Sequence, residues 1–487
     1  MYQDKTPLSL CQNSQVKFGT SGVRGPVSEL TQERCCAFVE AFLRKLCQAS
    51  NIVCIGQDLR PSSPTITLWI SECARQLGYT VWDCGSLATP SLAHYSMAHQ
   101  VPAIMVTGSH IPYDRNGIKF YLPSGEISKE DELSILNTQL NTFSKVSSDT
   151  TIEDHHDLAL AFYRQRYQNA FTALDLSGKR VGVYQHSSVI RDQLTKILNA
   201  FGAETIPLGR TDAFVALDTE AVSKEDQIQA NQWSREYKLD AIVSTDGDGD
   251  RPLIADEKGQ WLRGDQVGMI CCQYLKATHI VTPINSNTGL EALVPKATVI
   301  RTKIGSPYVL AAMKTVKPSE ISVGYEANGG VLLGSHTEGL TALPTRDAVL
   351  PILILLAHLS HQPLSSVIRA LPKRYTSSER LQDITVSESQ STISYLSGDQ
   401  HWPPLLAKIY TDQTVSISTL DTQDGARVWL SNNDILHIRA SGNANELRIY
   451  IESNNPTYSE TLCTHTKQAI SSLFLTKHWC IINHLSI

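Results

Sequence analysis

Long apolar runs are missing from this sequence. The longest, Val349–Ala357 (VLPILILLA), has nine residues and contains Pro351. A bilayer-spanning helix needs about 20, so this run reads as a buried helix or strand. The first residues, MYQDKTPLSL, lack the basic-then-apolar pattern of a secretory leader. A cytoplasmic protein is therefore expected. Neither sign of charge dominates: 42 Lys and Arg face 48 Asp and Glu, a net charge of -6. That balance excludes a nucleic-acid coat and a polybasic membrane anchor, and predicts neither nucleic acid nor membrane as partner. A local basic pocket for a small anion stays open. CxxC knuckles are absent. The eleven cysteines are odd in number and irregularly spaced, with adjacent pairs at Cys35-Cys36 and Cys271-Cys272. They read as reduced thiols that fill cores. The Walker spacing and the G-x-S-x-G elbow are also missing, which removes the P-loop and α/β-hydrolase classes.

What is present is globular. With 41% hydrophobic and 18% charged residues the chain is not disordered. Its 487 residues predict about three or four domains. One pattern recurs: a short β-branched run, a loop with Gly, then an amphipathic helix. Asn51–Asp58 reads as a buried strand. Ser63–Leu77 reads as a helix with Ile66, Ile70, Ala74 and Leu77 on one face, and Gly78 ends it. Ala103–His110, Lys179–Ser188 and Asp240–Asp250 each begin like another strand. Strands alternating with helices imply α/β units with mixed sheets. The last ~110 residues differ, with short strands at 414–419, 426–431, 434–441 and 447–453 and then a helix over 459–475. That is an α+β pattern. Polar 141–156 reads as a first linker, 257–266 as a second boundary and 371–380 as a third. The expected domains are 1–150, 151–260, 261–372 and 373–487.

Chemistry concentrates in five loops. Thr245-Asp246-Gly247-Asp248-Gly249-Asp250-Arg251 follows a buried strand and alternates carboxylates with glycines. Asp supplies the hard oxygens that Mg²⁺ and Ca²⁺ require, and Gly lets the backbone turn tightly enough to converge them. Two unit charges ~4 Å apart repel by about 1 kcal/mol in water and about 4 at an effective dielectric near 20. A divalent cation is the natural remedy. An EF-hand also begins D-x-D-x-D, but it requires Gly at position six, where Arg251 stands, and helices rather than strands around it. Thr107-Gly108-Ser109-His110 ends a strand, exposing a small hydroxyl beside an imidazole, with Lys119 ten residues on. Ser109 reads as a loop residue, a nucleophile or a phosphate carrier. Lys17–Gly25 (KFGTSGVRG) and Arg439–Asn445 (RASGNAN) combine Gly, hydroxyls and Arg in the way a phosphate site does. A plain Gly turn and a hairpin turn are their ordinary alternatives. Gly324–Gly330 (GYEANGG) pairs a carboxylate with an amide, a combination suited to vicinal sugar hydroxyls.

Taken in order, these loops resemble those of the α-D-phosphohexomutase superfamily, and within it the bacterial phosphomannomutases. KFGTSGVRG is similar to its N-terminal loop and TGSHIPYDRNGIKFY to its phosphoserine loop. DGDGDR is similar to its metal loop, GYEANGG to its sugar loop and RASGNANELRIY to its phosphate loop. VYQHSSVIRDQL and LDTEAV also look like the phosphomannomutase branch. Asn328 stands where many relatives have Ser, and Asn443-Ala444-Asn445 where many have T-E-P. The resemblance implies four domains, three related α/β units and a smaller C-terminal α+β domain, in a heart shape around a central cleft. It implies reversible interconversion of mannose 1-phosphate and mannose 6-phosphate, with a hexose 1,6-bisphosphate as intermediate and activator. A phosphoglucomutase, or an enzyme acting on both sugars, is the alternative. A non-catalytic sugar-phosphate sensor and a Mg²⁺-dependent phosphatase are the readings from other classes. By resemblance, Ser109 carries the phosphoryl group and, with Asp246, Asp248 and Asp250, holds Mg²⁺. Arg251 and Arg24 meet the moving phosphoryl group, and His110 and Lys119 supply general acid and base. Thr20 lines the transfer site and Lys303 lies near sugar and phosphate. Glu326 and Asn328 hold the sugar, and Arg439, Ser441, Gly442 and Asn443 hold the phosphate that is not reacting. A lysine base needs its pKa, ~10.4 unperturbed, brought down toward neutrality, which a nearby phosphate opposes. The partner implied is a phosphohexose, and a monomer or weak dimer is expected.

Overall fold

Four sheets carry the architecture. The first holds β1 (Lys17–Phe18), β2 (Val23–Pro26), β3 (Ile52–Gln57), β4 (Thr80–Ser86), β5 (Ala103–Val106), β6 (Arg115–Leu122), β7 (Gly125–Glu126) and β8 (Ile152–Asp154). The second holds β9 (Arg180–Tyr184), β10 (Glu204–Leu208), β11 (Ala241–Thr245) and β12 (Pro252–Ala255). The third holds β13 (His279–Pro283), β14 (Thr298–Thr302), β15 (Ser322–Tyr325), β16 (Val331–Leu333) and β17 (Leu343–Asp347). The fourth holds β18 (Tyr375–Gln382), β19 (Ile417–Asp421), β20 (Ala426–Leu430), β21 (Ile435–Ala440) and β22 (Glu446–Ser453). This computed structural model describes residues 5–140, 150–337, 339–411, 414–441 and 445–475.

The first three sheets share one order. β4-β3-β5-β6, β10-β9-β11-β12 and β14-β13-β15-β16 occupy equivalent places. β3 with β5, β9 with β11 and β13 with β15 run parallel, and each sheet then adds an antiparallel strand, β6, β12 or β16. β5, β11 and β15 are buried along their whole length. A strand covered on both faces is apolar or small at every position, as AIMV, AIVST and SVGY are. Each of these three strands runs straight into a motif loop. The loops that carry Ser109, Asp246–Asp250 and Glu326 therefore occupy the same hairpin position in three sheets. The fourth sheet is antiparallel throughout, in the order β18-β22-β21-β20-β19. Three related mixed α/β sheets followed by an α+β part agree with the fold class read from the sequence.

Helices cover the sheets. Gln32–Leu46 starts at Thr31, whose hydroxyl accepts from Arg34 N–H, and buries every residue from Cys35 to Leu43. Ser63–Gln76 ends one residue earlier than the periodicity predicts, at a Gly78 with φ of 91°. The run Val349–Ala357 is a buried helix. The described cysteines are free, and all but Cys11 are buried.

Some readings need correction. Residues 152–154 of the expected first linker form an exposed edge strand on β4, while 141–149 lie outside the described residues. β18, an edge strand rich in Ser, Glu and Arg, begins inside the segment 371–380, in the stretch where the second compact unit resumes. The C-terminal part also contains the helices Val386–Leu396 and Trp402–Ile409, where only strands and one final helix were expected. The two edge strands face solvent and need no apolar alternation, whereas Trp402–Ile409 buries Trp402, Leu405, Leu406 and Ile409 and was missed because two prolines open it.

The contacts divide the chain into two compact units. One comprises Met1–Thr282, Lys296–Ile300 and Gly305–Ala370; the other comprises Pro283–Pro295, Arg301–Ile304 and Leu371–Ile487.

Candidate active site

The first unit gathers four of the five loops around a buried acidic cluster. Ser109 sits just past β5 with φ of 55°. A non-glycine residue in this left-handed region costs roughly 1–2 kcal/mol, so the surroundings must hold it. They do. Ser109 N–H donates to Thr107 Oγ1 at 2.8 Å, and Arg60 Nη2 donates to Ser109 O at 2.8 Å. Arg60 also donates to the carbonyls of Ile111, Pro112 and Arg115 at 2.6–2.8 Å. Its Nε faces Asp58 at 3.2 Å, and Asp58 in turn accepts from Thr107 and Ser63. This 1%-exposed arginine clamps the whole serine loop. The close approach also requires Gly108, where a Cβ would lie 2.6 Å from the guanidinium carbon.

Held this way, Ser109 Oγ donates to Asp246 Oδ2 at 2.6 Å and lies 3.3 Å from His110 Nδ1. Asp246, Asp248 and Asp250 are buried and can each offer one oxygen within 4.8 Å of the others. Gly249, with φ of 73°, lets the loop close. Thr89 fastens it by donating N–H to Asp248 O at 2.9 Å and Oγ1 to Asp248 Oδ2 at 2.6 Å. From the second sheet, His186 Nε2 donates to Thr245 O at 2.9 Å. Lys119 on β6 donates to Asp248 Oδ2 at 2.6 Å and Asp250 Oδ2 at 2.8 Å. Arg346 on β17 donates to Asp250 Oδ2 at 2.9 Å and, through Nη1, to Glu326 Oε2 at 3.0 Å.

Electrostatics divides the carboxylates. Burial, then Asp248 and Asp250, push Asp246 well above the usual carboxylate range. Burial and Asp250 work upward on Asp248, but the charge and hydrogen bonds of Lys119 and Thr89 together bring it below its ordinary value; burial works upward on Asp250, but Arg346, Lys119 and Arg251 bring it lower still. Burial opposes charge on Lys119, yet Asp248 and Asp250 hold its ammonium above the ordinary value. Facing bare carboxylates, Lys119 is thus a cation and not a base. Burial, then Arg251 and Arg24, hold His110 well below its usual range, so the imidazole is neutral. Its Nδ1 accepts from Arg251 Nη1 at 3.0 Å. Arg24 on β2 is half-buried; burial, Arg251 and Arg346 lower it to about 10, still a cation at neutral pH.

Asp248 Oδ1 and Asp250 Oδ1 are buried without any hydrogen-bond partner. Two orphaned carboxylate oxygens beside a third carboxylate cost several kcal/mol unless a cation meets them. The donor set is hard oxygen throughout, so it fits Mg²⁺.

The remaining expected residues fall in two places. Thr20 lies in the turn between β1 and β2, with Gly19 N–H bonded to Gly22 O, in the first unit. Asn328 uses Oδ1 to accept from Gly330 N–H at 3.0 Å, which shapes the loop 324–330 beside Glu326. Lys303, exposed, belongs to the second unit together with Arg439 and Ser441. There Arg439 Nε lies 3.4 Å from Asp424, whose Oδ2 also accepts from Ile304 N–H at 2.9 Å. Gly442 and Asn443 lie outside the described residues.

Residues 15–145 match the family profile "Phosphoglucomutase/phosphomannomutase, alpha/beta/alpha domain I", and 263–375 match that of domain III. A phosphomannomutase of Salmonella muenchen is 42% identical over 94% of this chain and 96% of its own length. The chain belongs to the phosphoglucomutase/phosphomannomutase family. A phosphomannomutase of Sinorhizobium fredii is 40% identical over 94% of this chain and 99% of its own. Among solved structures, a family protein of Burkholderia thailandensis superposes with a TM-score of 0.72 at 19% identity, covering 93% of this chain and 97% of that one. The N-acetylphosphoglucosamine mutase of Aspergillus fumigatus, solved with GlcNAc-6P and magnesium, gives 0.58 at 15%, covering 95% and 98%. Both share the fold of this family member.

Sequence reasoning missed Arg60, Thr89, His186, Arg346 and Asp424. Each acts on a partner far along the chain, Arg60 on carbonyls 49–55 residues away and Arg346 on a carboxylate 96 away. The one local signal was the GxDxR pattern of Gly56–Arg60, where Asp58 and Arg60 pair with each other.

Proposed function

We propose that this protein is a phosphomannomutase that interconverts mannose 1-phosphate and mannose 6-phosphate through a phosphorylated Ser109 and a hexose 1,6-bisphosphate. The observation that carries the reading is the strained Ser109, its Oγ 2.6 Å from a cluster of three buried carboxylates with two orphaned oxygens. A hydroxyl held that way suits a phosphoryl carrier, and relatives 40–42% identical are phosphomannomutases.

Asp246, Asp248 and Asp250 would hold the cation. Bound there, Mg²⁺ supplies positive charge against a phosphate on Ser109. The protein's own groups supply the rest. Phosphoryl transfer needs positioning and charge neutralisation more than covalent help. Arg24 and Arg251 bring guanidinium groups to the transferring phosphoryl oxygens, and Thr20 adds a hydroxyl. The phosphoryl group passes from Ser109 Oγ to O6 of mannose 1-phosphate, and the one on O1 then returns to Ser109. Neutral His110, with Nδ1 3.3 Å from Ser109 Oγ, is suited to take the hydroxyl proton of the acceptor once Arg251 turns from that nitrogen to the phosphoryl oxygens. Lys119 acts as the charged, acidic partner while Asp248 and Asp250 face it. Glu326 and Asn328 hold two sugar hydroxyls, a clamp that accepts the bisphosphate in either orientation. Lys303, Arg439, Ser441, Gly442 and Asn443 bind the phosphate that is not reacting.

A mutase assay on mannose, glucose and glucosamine 1-phosphates, with Mg²⁺ and a trace of sugar 1,6-bisphosphate, tests this. A preference for mannose is expected. Equal mannose and glucose rates would make it a dual enzyme, and release of inorganic phosphate in place of isomer would make it a phosphatase.

A further inference from the structure

Arg346 lies on β17, outside every motif read from the sequence, yet its side chain touches two of the motif loops. It is 2% exposed. Nη2 and Nε bind one oxygen of Asp250, Oδ2, at 2.9 and 3.2 Å, while Nη1 binds one oxygen of Glu326, Oε2, at 3.0 Å. The other oxygen of Asp250 has no hydrogen-bond partner. One planar fork thus uses one oxygen of a metal-loop carboxylate and one of the sugar-loop carboxylate. It fixes the rotation of both and leaves the second oxygen of each outside the fork.

Two neighbours make this arrangement specific. Asp347, the adjacent residue, is the obvious competitor for the guanidinium, but it is occupied elsewhere. Tyr163 donates to its Oδ1 at 2.7 Å, Tyr167 to its Oδ2, and Val349 N–H to Oδ1 at 3.0 Å. Gly330, the last glycine of the sugar loop, clears the path of the arginine stem. A Cβ there would lie 2.7 Å from Arg346 Cδ and 2.8 Å from Cγ. That close approach gives the last glycine of GYEANGG a physical role.

We propose that Arg346 is a positioning residue that ties the metal loop to the sugar loop by sharing its guanidinium between Asp250 and Glu326. The inference rests on the reading of Glu326 as a sugar clamp. Its action runs through Glu326, so the two side chains must be energetically coupled.

The test is a double-mutant cycle on the full chain with Arg346→Gln, Glu326→Gln and both, reading the dissociation constant of mannose 1-phosphate by calorimetry. Arg346→Gln should weaken binding about ten-fold, the worth of one charged hydrogen bond. In the Glu326→Gln background the same change should cost less than about two-fold. Fully additive losses, or unchanged binding in Arg346→Gln, would overturn the proposal. Hydrogen exchange of the metal-free protein gives a second reading that needs neither turnover nor sugar. Arg346→Gln should speed exchange in peptides covering 246–251 and 324–330 together, and unchanged protection in either loop would also overturn it. Arg346→Lys, which keeps the charge but not the fork, should restore part of the binding. If Arg346→Gln does not fold, Gly330→Ala displaces the stem without removing charge and should give the same coupled loosening. A wild-type protein that binds mannose 1-phosphate without isomerising it would refute the functional reading alone. Exchange that stays protected in the variant would refute the bridge alone.

Discussion

At the scale of single residues, the site depends on one unfavourable backbone conformation. Ser109 is held left-handed because Arg60 takes four carbonyls of its loop, and Thr107 takes its amide. Gly accepts that conformation without a steric cost, whereas Ala does not. Ser109→Gly and Ser109→Ala should both abolish mutase turnover, since neither carries a hydroxyl. In urea titrations Ser109→Gly should be the more stable of the two by about 1 kcal/mol. Equal stabilities would mean that the surrounding loop relaxes and stores no strain. Ser109 and the three aspartates were legible in the sequence because both motifs are local and chemically unusual. Arg346 was not, because an isolated arginine carries no sign of the carboxylates that the fold brings to it, and Arg60 showed only its pairing with Asp58, not the distant carbonyls it holds.

At the scale of elements, buried histidines set the response to acid. His437 on β21 is 1% exposed, and its Nε2 donates to Asp424 O at 2.6 Å. Burial, with Arg427 and Arg439 nearby, lowers its pKa to about 3. His94, in the helix Thr89–Ala98, is likewise lowered to about 3 by burial and Arg166. In both cases the folded pKa lies below the unfolded value of about 6.5, so the unfolded chain takes up the proton first. Stability is therefore fully present above pH ~6.5 and falls as pH drops toward 3, by up to about 1.4 kcal/mol per unit for each histidine. His437→Gln, which keeps a donor for Asp424 O, should flatten the pH dependence of unfolding by about that slope. An unchanged slope between pH 6 and 4 would refute the assignment. Element by element, the sequence reveals buried strands and amphipathic helices but not exposed edges. β8 and the outer half of β18 satisfy backbone pairing while facing water, so their residues keep the composition of a linker.

At the scale of the whole molecule, the charge cluster is a load on the empty fold and an advantage to the occupied one. Asp246→Asn removes a buried carboxylate that burial and its neighbours already push toward protonation. It should raise the melting temperature of the metal-free protein and remove the stabilisation by Mg²⁺. In the wild type that stabilisation should reach about 2.7 kcal/mol at a hundred-fold excess over Kd. A melting temperature insensitive to Mg²⁺ in the wild type would contradict the cation reading. Three sheets with one strand order place the loops of Ser109, Asp246–Asp250 and Glu326 at the same hairpin. The repeated strand–helix rhythm made the three α/β units legible, but the equivalence of those loops required the strand order, which no local pattern encodes. The buried thiols described above also make the molecule its own clock. Cysteines 35, 36, 47, 54, 73 and 84 lie in the first α/β region, 271 and 272 in the third, and 463 in the C-terminal part, all buried and free. A colourless thiol reagent followed by peptide mapping would time the opening of each region separately, with the cysteine-free stretch from 85 to 270 as its silent interval.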